Sequence, residues 1–300
     1  MRIAVTGRTG QVAQSLIERG AAAGHNVIPV GRPQIDLAHG NIEAIRAALE
    51  AARPDVVVSA AAYTAVDKAE SEPERAFAVN AAGAGAVAGA AAALGLPLIH
   101  LSTDYVFSGG GSRPWREDDP TGPAGIYGAS KLAGEAAVLA AHDNAAILRT
   151  AWVFSPFGGN FVKTMLRLAA ERGEVSVVAD QFGNPTSALD IADGVLAVAA
   201  NLAARPDPAL RGLFHMTGAG EANWAQFAEA IFAESAARGG PAAAVRAIAT
   251  ADYPTAAARP ANSRLDCGKL ERHHGVALPH WRGALGAVIE RLLGEQGNRA

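Results

Sequence analysis

Five short apolar runs, each followed by a turn and a longer alanine-rich stretch with helical spacing, constrain the fold of this 300-residue chain more than any other feature. The runs span residues 3–5, 27–30, 56–59, 98–101 and 146–148, and the spacing predicts helices over 11–22, 42–51, 74–94 and 127–141. A strand that is apolar on both faces has to be covered on both. Where such strands alternate with helices, right-handed crossovers deliver a parallel sheet with helices above and below it. The expectation is an α/β fold with a doubly wound parallel sheet. The alanine- and glycine-rich stretch 81–93 fits it as a helix pressed closely against the sheet, because Val79, Val87 and Leu94 keep one face apolar.

After Arg149 the texture changes. Turns rich in glycine and proline lie at 155–159 and 183–185, and helical patterns at 161–172, 224–237 and 281–293 no longer alternate with strands, although 191–202 reads as a further crossover back to the sheet. The division expected is a nucleotide-binding domain of residues 1–150 and about 187–216, and a smaller α/β substrate domain of about 151–186 and 217–300. Half of the residues are hydrophobic, 18% are charged and the net charge is −3. Those values exclude a disordered or coiled-coil chain and give no basic field for nucleic acid or an anionic membrane. The single cysteine, Cys267, allows no internal disulfide and no four-cysteine zinc site. The apolar run at 1–5 is too short for a signal peptide, and no later stretch reaches spanning length without a charge or turn residue, so the expected compartment is the cytoplasm.

The first strand runs into Thr6-Gly7-Arg8-Thr9-Gly10-Gln11-Val12-Ala13, a Gly-x-x-Gly-x-x-Ala turn opening a helix. Glycine tolerates the turn dihedrals and lets backbone N–H groups approach a pyrophosphate, and the helix N-terminus adds partial positive charge. At a first strand-to-helix junction this pattern points to a Rossmann-type dinucleotide site. The second strand ends at Val30-Gly31-Arg32, where a carboxylate would favour NAD. Arg32 is a cation suited to a 2′-phosphate, so NADPH is the expected cofactor, with NADH as the alternative donor; a solvated surface arginine accounts for the same residue.

Tyr127 and Lys131 stand four apart at a helix start, which puts both side chains on one face. Ser102, Thr103 and Asp104 directly follow the fourth strand, and the carboxyl ends of parallel strands form the ligand crevice. These residues suit reduction of a ketone. An acid must protonate the developing alkoxide, a free tyrosine holds its proton up to about pH 10, and a nearby lysine cation is expected to lower that pKa. Thr103 would bond the carbonyl and orient it.

In this arrangement Gly7, Gly10, Ala13, Thr103, Tyr127 and Lys131 resemble the extended short-chain dehydrogenase/reductase superfamily. Within it, residues 6–12, 60–70, 101–107, 149–154 and 259–265 are similar to the dTDP-4-dehydrorhamnose reductases, over nearly the whole chain. The resemblance implies NADPH-dependent reduction of the C4 ketone of dTDP-4-dehydro-β-L-rhamnose, with Thr103, Tyr127 and Lys131 catalytic and Lys131 also on the nicotinamide ribose. It implies a cofactor over Gly7, Thr9, Gly10, Gln11 and Val12, with Asp36 and Leu37 near the adenine. Ala60, Ala61, Ala62, Tyr63 and Thr64 would lie beneath the pyrophosphate and ribose, and Leu101 and Ser102 under the nicotinamide. Asp104 and Trp152 match sugar-contacting positions, where an aromatic plane packs on C–H groups, and Arg259 is the cation expected near the diphosphate. Some members dimerise through magnesium held by acidic residues. The aligned positions here are Ser15, Leu189 and Asp190, with one carboxylate among them, so the expectation is no structural metal and a monomer or weak homodimer. Two other readings stay open: a non-catalytic NADP-binding regulatory subunit, and an epimerase or dehydratase of another sugar nucleotide.

The eight histidines form no His-Glu-x-x-His, and adjacent His273 and His274 point apart on any regular element, so metal catalysis is not expected. Glu117-Asp118-Asp119 reads as a solvated loop, Trp115 as core, and Arg264 as a surface charge.

Overall fold

The computed structural model describes residues 1–297. Its first half runs β1 (Arg2–Thr6), α1 (Gln11–Ala22), β2 (Asn26–Val30), α2 (Ile42–Ala52), β3 (Val56–Ser59) and the short α3 (Val66–Ala69). One long rod follows, in which α4 (Pro73–Phe77) passes through a π-helical turn, Ala78–Ala82, into α5 (Gly83–Ala93). Then come β4 (Leu98–Thr103), α6 (Ile126–Ala141) and β5 (Ala145–Thr150). The second half holds β6 (Val153–Phe154), α7 (Phe161–Glu171), β7 (Glu174–Val178), β8 (Phe182–Gly183), β9 (Thr186–Ser187), α8 (Ala188–Ala204), β10 (Gly212–His215), β11 (Ala222–Asn223), α9 (Trp224–Ala236), β12 (Ala244–Ile248), α10 (Gly268–His274) and α11 (Trp281–Gly297).

Six strands pair in the order β2-β1-β3-β4-β5-β10, every neighbour parallel. The pattern at 191–202 is borne out: α8 is the crossover that returns the chain to the sheet at β10. Between β1 and β3 the sheet's direction of growth reverses, and at such a switch point the strands' carboxyl ends open a crevice. Period-two alternation sorts the strand residues by face. Ile3, Val5, Val56, Val58, Ile99, Leu101, Ala146 and Leu148 meet Leu16 of α1 and Ile191 and Val195 of α8. Ala4, Val57, Leu98, Ala145 and Ile147 meet Ile45 and Leu49 of α2, Val87 of α5 and Val138 of α6. Each fully buried Leu, Ile or Val on these faces contributes about 1.5–3 kcal/mol.

The rod Pro73–Ala93 is long and apolar enough to cross a membrane by length and composition. Here it packs between α2 and α6, with Val87, Ala88, Ala90 and Ala91 buried. A third core gathers Phe154, Val162, Met165, Val175, Phe227, Ile231, Trp281 and Val288 from the second half. By contrast Leu270, Val276 and Leu278, late in the chain, pack under the central sheet. Side chains fix several helix starts: Asn160 accepts from the Lys163 N–H at α7, and Asn223 and Gln226 exchange bonds at α9.

Candidate active site

The carboxyl ends of β1, β3, β4 and β5, with the loops after them, enclose a cleft of about 980 Å³. Gly7 has φ +95°, a conformation side chains resist, and its N–H donates to the Val30 carbonyl at 2.8 Å. The Thr6 hydroxyl accepts from the N–H groups of Ala60 and Ala61, both at 3.0 Å, tying the ends of β1 and β3 together. Gly10 stands at the start of α1 with no side-chain cap, no acidic residue in the first turn, and open space where a Cβ would be. The helix therefore turns bare N–H groups and its positive end toward the cleft, which suits a phosphate.

From there the lining runs over Thr9, Gln11 and Val12, past Asp36 and Leu37, along Ala60, Ala61, Ala62, Tyr63 and Thr64, and on to Leu101, Ser102, Thr103, Asp104, Tyr127, Lys131 and Trp152. Arg32 lines it from an exposed position beyond β2. A continuous, partly apolar trough with an uncapped helix at its middle fits a nicotinamide dinucleotide.

Two devices position the far end. The N–H of Ile126, first in α6, donates to Glu70 at 2.8 Å, which fixes Tyr127 in the first turn and Lys131 one turn on. Asn80, in the π turn, accepts from the Tyr63 N–H at 2.7 Å and donates to the Tyr63 carbonyl at 3.1 Å and to Ser130 Oγ at 2.9 Å. It thereby ties the loop over 60–64 to α6, a use of a π turn seen at many functional sites.

Lys131, 2% exposed, donates to the Leu101 carbonyl at 2.7 Å and to His100 Nε2 at 3.3 Å. Burial brings its pKa down to about 8, with Glu135 pulling the other way. Burial pushes the Tyr127 phenol up to about 12, the Thr103 hydroxyl offsetting part of the rise. The expected net lowering of the tyrosine's pKa is corrected here: the ammonium's hydrogen bonds go to β4, and desolvation of the phenol outweighs the pull of the lysine charge. Asp104, also buried, accepts from Thr103 Oγ at 3.0 Å, while its Oδ2 has no partner. Burial raises it to about 6, with the nearby Ser263 hydroxyl, which forms no well-aligned bond, holding it back.

Trp152 lines the cleft with its backbone in the left-handed region, φ +48°. Trp224 stacks on it, ring centroids 3.6 Å apart. A Cβ on Gly183 would fall on Cε2 of the same indole, closer than to the flanking Nε1 and Cζ2, so this backbone covers a ring face as well. Trp224 leaves no room on its own face, so both faces of Trp152 are filled. An aromatic plane free to pack on a sugar is not what the fold provides; the edge is.

Arg259 lies outside the lining, donating to Asp67 at 2.6 Å. Ser15 donates to the Gln11 carbonyl, and Asp190, raised to about 6 by burial and by Asp193, stands at the start of α8 near Leu189. Among the described residues no three His, Cys, Asp or Glu side chains form a metal-binding group. The 117–119 loop is less solvated than expected: Glu117 accepts from the His215 N–H, and Asp119 pairs with Arg113 at 2.6 Å. Trp115 stacks on Phe107 while its Nε1–H donates to the Asn262 carbonyl. Sequence reasoning missed Glu70, Asn80, Ser155, Asn160, Gly183 and Trp224. Glu70 lay in a string that carried the resemblance, Ser155 and Gly183 in turns noted only as turns, and Trp224 at the start of a pattern read only as a helix; an isolated Asn in an alanine-rich helix carries no pattern.

A doubly wound parallel sheet with a tyrosine–lysine helix at its carboxyl edge defines a nicotinamide-dependent oxidoreductase of the extended short-chain dehydrogenase/reductase type. Residues 1–293 match the family described as RmlD substrate binding domain, and the chain belongs to it, among the dTDP-4-dehydrorhamnose reductases. The enzyme of that name from Sinorhizobium fredii is 50% identical over 98% of both chains. Among solved structures, one from Clostridium acetobutylicum superposes with a TM-score of 0.89 at 35% identity, covering 98% of this chain and all of that one. Another, from Bacillus anthracis in complex with NADP, gives 0.88 at 34%, covering 97% and 99%. A UDP-glucose 4-epimerase with a TM-score of 0.83 is 17% identical and shares the fold alone.

Proposed function

We propose that this chain uses NADPH to reduce the C4 ketone of dTDP-4-dehydro-β-L-rhamnose, giving dTDP-L-rhamnose. The observation that carries this reading is the meeting of Thr103, Tyr127 and Lys131 in the same cleft as the uncapped start of α1, in a chain half identical to a dTDP-4-dehydrorhamnose reductase.

Bound NADPH supplies the hydride. Thr103, whose hydroxyl proton rests on Asp104 here, turns that proton to the ketone oxygen and orients it. Tyr127 keeps its proton through the working range because burial raises its pKa, and gives it up to the alkoxide, a far stronger base. Lys131 then stabilises the phenolate left behind, a role that needs the ammonium form and fades above about pH 8. Asp104 and the edge of Trp152 hold the sugar. Arg259 acts from behind, anchoring its loop to Asp67, and Arg32 meets the 2′-phosphate.

The two-domain division, 1–150 with 187–216 and 151–186 with 217–300, is supported by the separate third core, with 270–278 packed on the first domain. Because Asp190 is the sole carboxylate among Ser15, Leu189 and Asp190, the working form is a cytoplasmic monomer or weak homodimer; a dimer that a chelator dissolves would overturn this.

The deciding experiment follows NADPH oxidation with dTDP-4-dehydro-β-L-rhamnose, a UDP analogue and NADH in parallel, in wild type and Arg32→Ala. Stoichiometric oxidation with dTDP-L-rhamnose formed is the expected result, with a narrower NADPH preference in the variant. A product made without net cofactor oxidation would instead mark an epimerase or dehydratase.

A further inference from the structure

Period-two alternation places His100 and Ser102 of β4 and Arg149 of β5 on the face that α6 covers, and all three are almost fully buried. Glu135, four residues after Lys131 on α6, meets Ser102 and Arg149 there. It accepts from Arg149 Nε at 2.8 Å and Nη2 at 2.6 Å, and from Ser102 Oγ at 2.5 Å. The pair is 2% and 3% exposed. Two cations and one anion are thus shut in beneath the cleft, and the carboxylate nearest Lys131 bonds the arginine instead.

We propose that Arg149 is a positioning residue for the reaction: by occupying Glu135 it keeps the Lys131 ammonium unpaired and directed at the Leu101 carbonyl and the cleft. A buried lysine and a glutamate one helical turn apart would otherwise pair directly. Pairing would draw Nζ down α6, off the strand end where it serves Tyr127. Arg149 suits the task because its planar fork takes both carboxylate oxygens and its face is held 4.9 Å from the Phe107 ring. Its third nitrogen, Nη1, is buried with no hydrogen-bond partner, so the geometry serves Glu135 rather than the arginine's own satisfaction.

The groups facing this cluster are few. From β4, His100 accepts at Nε2 from Lys131, which puts its proton on Nδ1 facing Ser59 Oγ at 3.1 Å; burial keeps the ring neutral. From β10, His215 faces Arg149 and is held neutral by burial and that charge. Tyr127 of α6 and Asp104 of the turn after β4 line the cleft together with Lys131. Glu135 is the one group that raises the Lys131 pKa against burial.

The inference rests on the proposed reductase activity, and wild-type turnover tests that separately. The test of the inference compares Glu135→Gln, Arg149→Met and the double variant by the alkaline limb of kcat/KM, and by NMR titration of the four lysines labelled at Cε, with Lys131 assigned through Lys131→Met. Glu135→Gln leaves Lys131 facing an unbalanced arginine, so its titration and the limb move to lower pH. Arg149→Met releases Glu135 onto Lys131, so both move to higher pH while kcat falls and KM for NADPH rises. The double variant removes both charges and returns titration and limb toward wild type. Should Arg149→Met alone fail to fold, the other two decide: a displacement in Glu135→Gln that the double variant reverses supports the role. Shifts in one direction, no shift, or a double variant no better than the singles overturns it and leaves the ion pair merely structural.

Discussion

Asp104 shows how a single side chain trades stability for function. Its pKa rises from 3.8 to about 6 because the carboxylate is desolvated, so the unfolded chain binds fewer protons than the folded one between those values. The stabilisation this group contributes is therefore complete below pH 4 and lost as pH climbs through 6; at pH 7 the ionised form costs roughly 3 kcal/mol at 1.36 kcal/mol per pKa unit. Asp104→Asn should raise Tm at pH 7, with the gain shrinking toward pH 4, while kcat/KM for the sugar nucleotide drops; a lower Tm at pH 7 would show that the carboxylate is held by bonds the asparagine cannot replace. Tyr127→Phe belongs beside it: kcat should fall roughly 10²–10⁴-fold, the usual scale for a general acid, with Tm unchanged. The identities of Thr103, Tyr127 and Lys131 were legible in the sequence because their spacing is local. The directions of the Tyr127 and Lys131 pKa values were not, since the burial that sets both arises only when α6 closes on the sheet.

Among the helices, the same residue type is a structural necessity in one place and an open door in another. A Cβ on Gly134 of α6 would run into the Asn80 carbonyl of the π turn, backbone that cannot yield. Gly134→Ala should push α6 from the rod, lose several kcal/mol in denaturant unfolding, and loosen the bonds Asn80 makes to Tyr63 and Ser130. Gly10 at the start of α1 has φ −68°, ψ 152° and nothing within 4 Å of a would-be Cβ. Gly10→Ala should leave Tm without ligand unchanged and weaken NADPH binding at least tenfold by calorimetry, because the added methyl stands where a phosphate must approach the helix N–H groups. Equal Tm losses in both variants would contradict the distinction. The sequence foretold these helices nearly to the residue, 11–22 for α1 and 127–141 for α6, since strand runs and helical spacing alternate cleanly. It missed the π turn inside 74–94, because the one-residue shift it introduces falls in a stretch of mostly small residues, with too few large apolar side chains to register the change of spacing.

At the scale of the molecule the question is how the nucleotide-binding sheet and the third core act together, and Gln11 is the most direct link. It begins α1 in the cofactor turn, yet its side chain reaches across the cleft. Its Oε1 accepts from Ser155 Oγ at 2.9 Å and Asn160 Nδ2 at 3.1 Å. Asn160 also caps α7, so the cofactor turn and the first helix of the third core share one network. Glu18 of α1 adds a second tie, meeting Arg291 of α11 at 2.7 Å, but that pair is partly exposed and weak by comparison. A ligand that orders the turn over 7–12 should therefore order residues 155–171, although Gly158, Gly159 and Asn160 alone of these line the cleft. Hydrogen exchange with saturating NADPH is expected to slow amides across 161–171 in wild type, including turns of α7 that no cofactor atom touches. Gln11→Ala should keep the slowing at 7–12 and abolish it in α7, because the side-chain bonds are gone while the backbone N–H groups remain; KM for the sugar nucleotide should rise more than KM for NADPH. Protection of α7 that survives the substitution would mean that coupling runs through another tie between the domains, such as Glu18 of α1 with Arg291 of α11, and would reduce Gln11 to a local brace of the loop after β6.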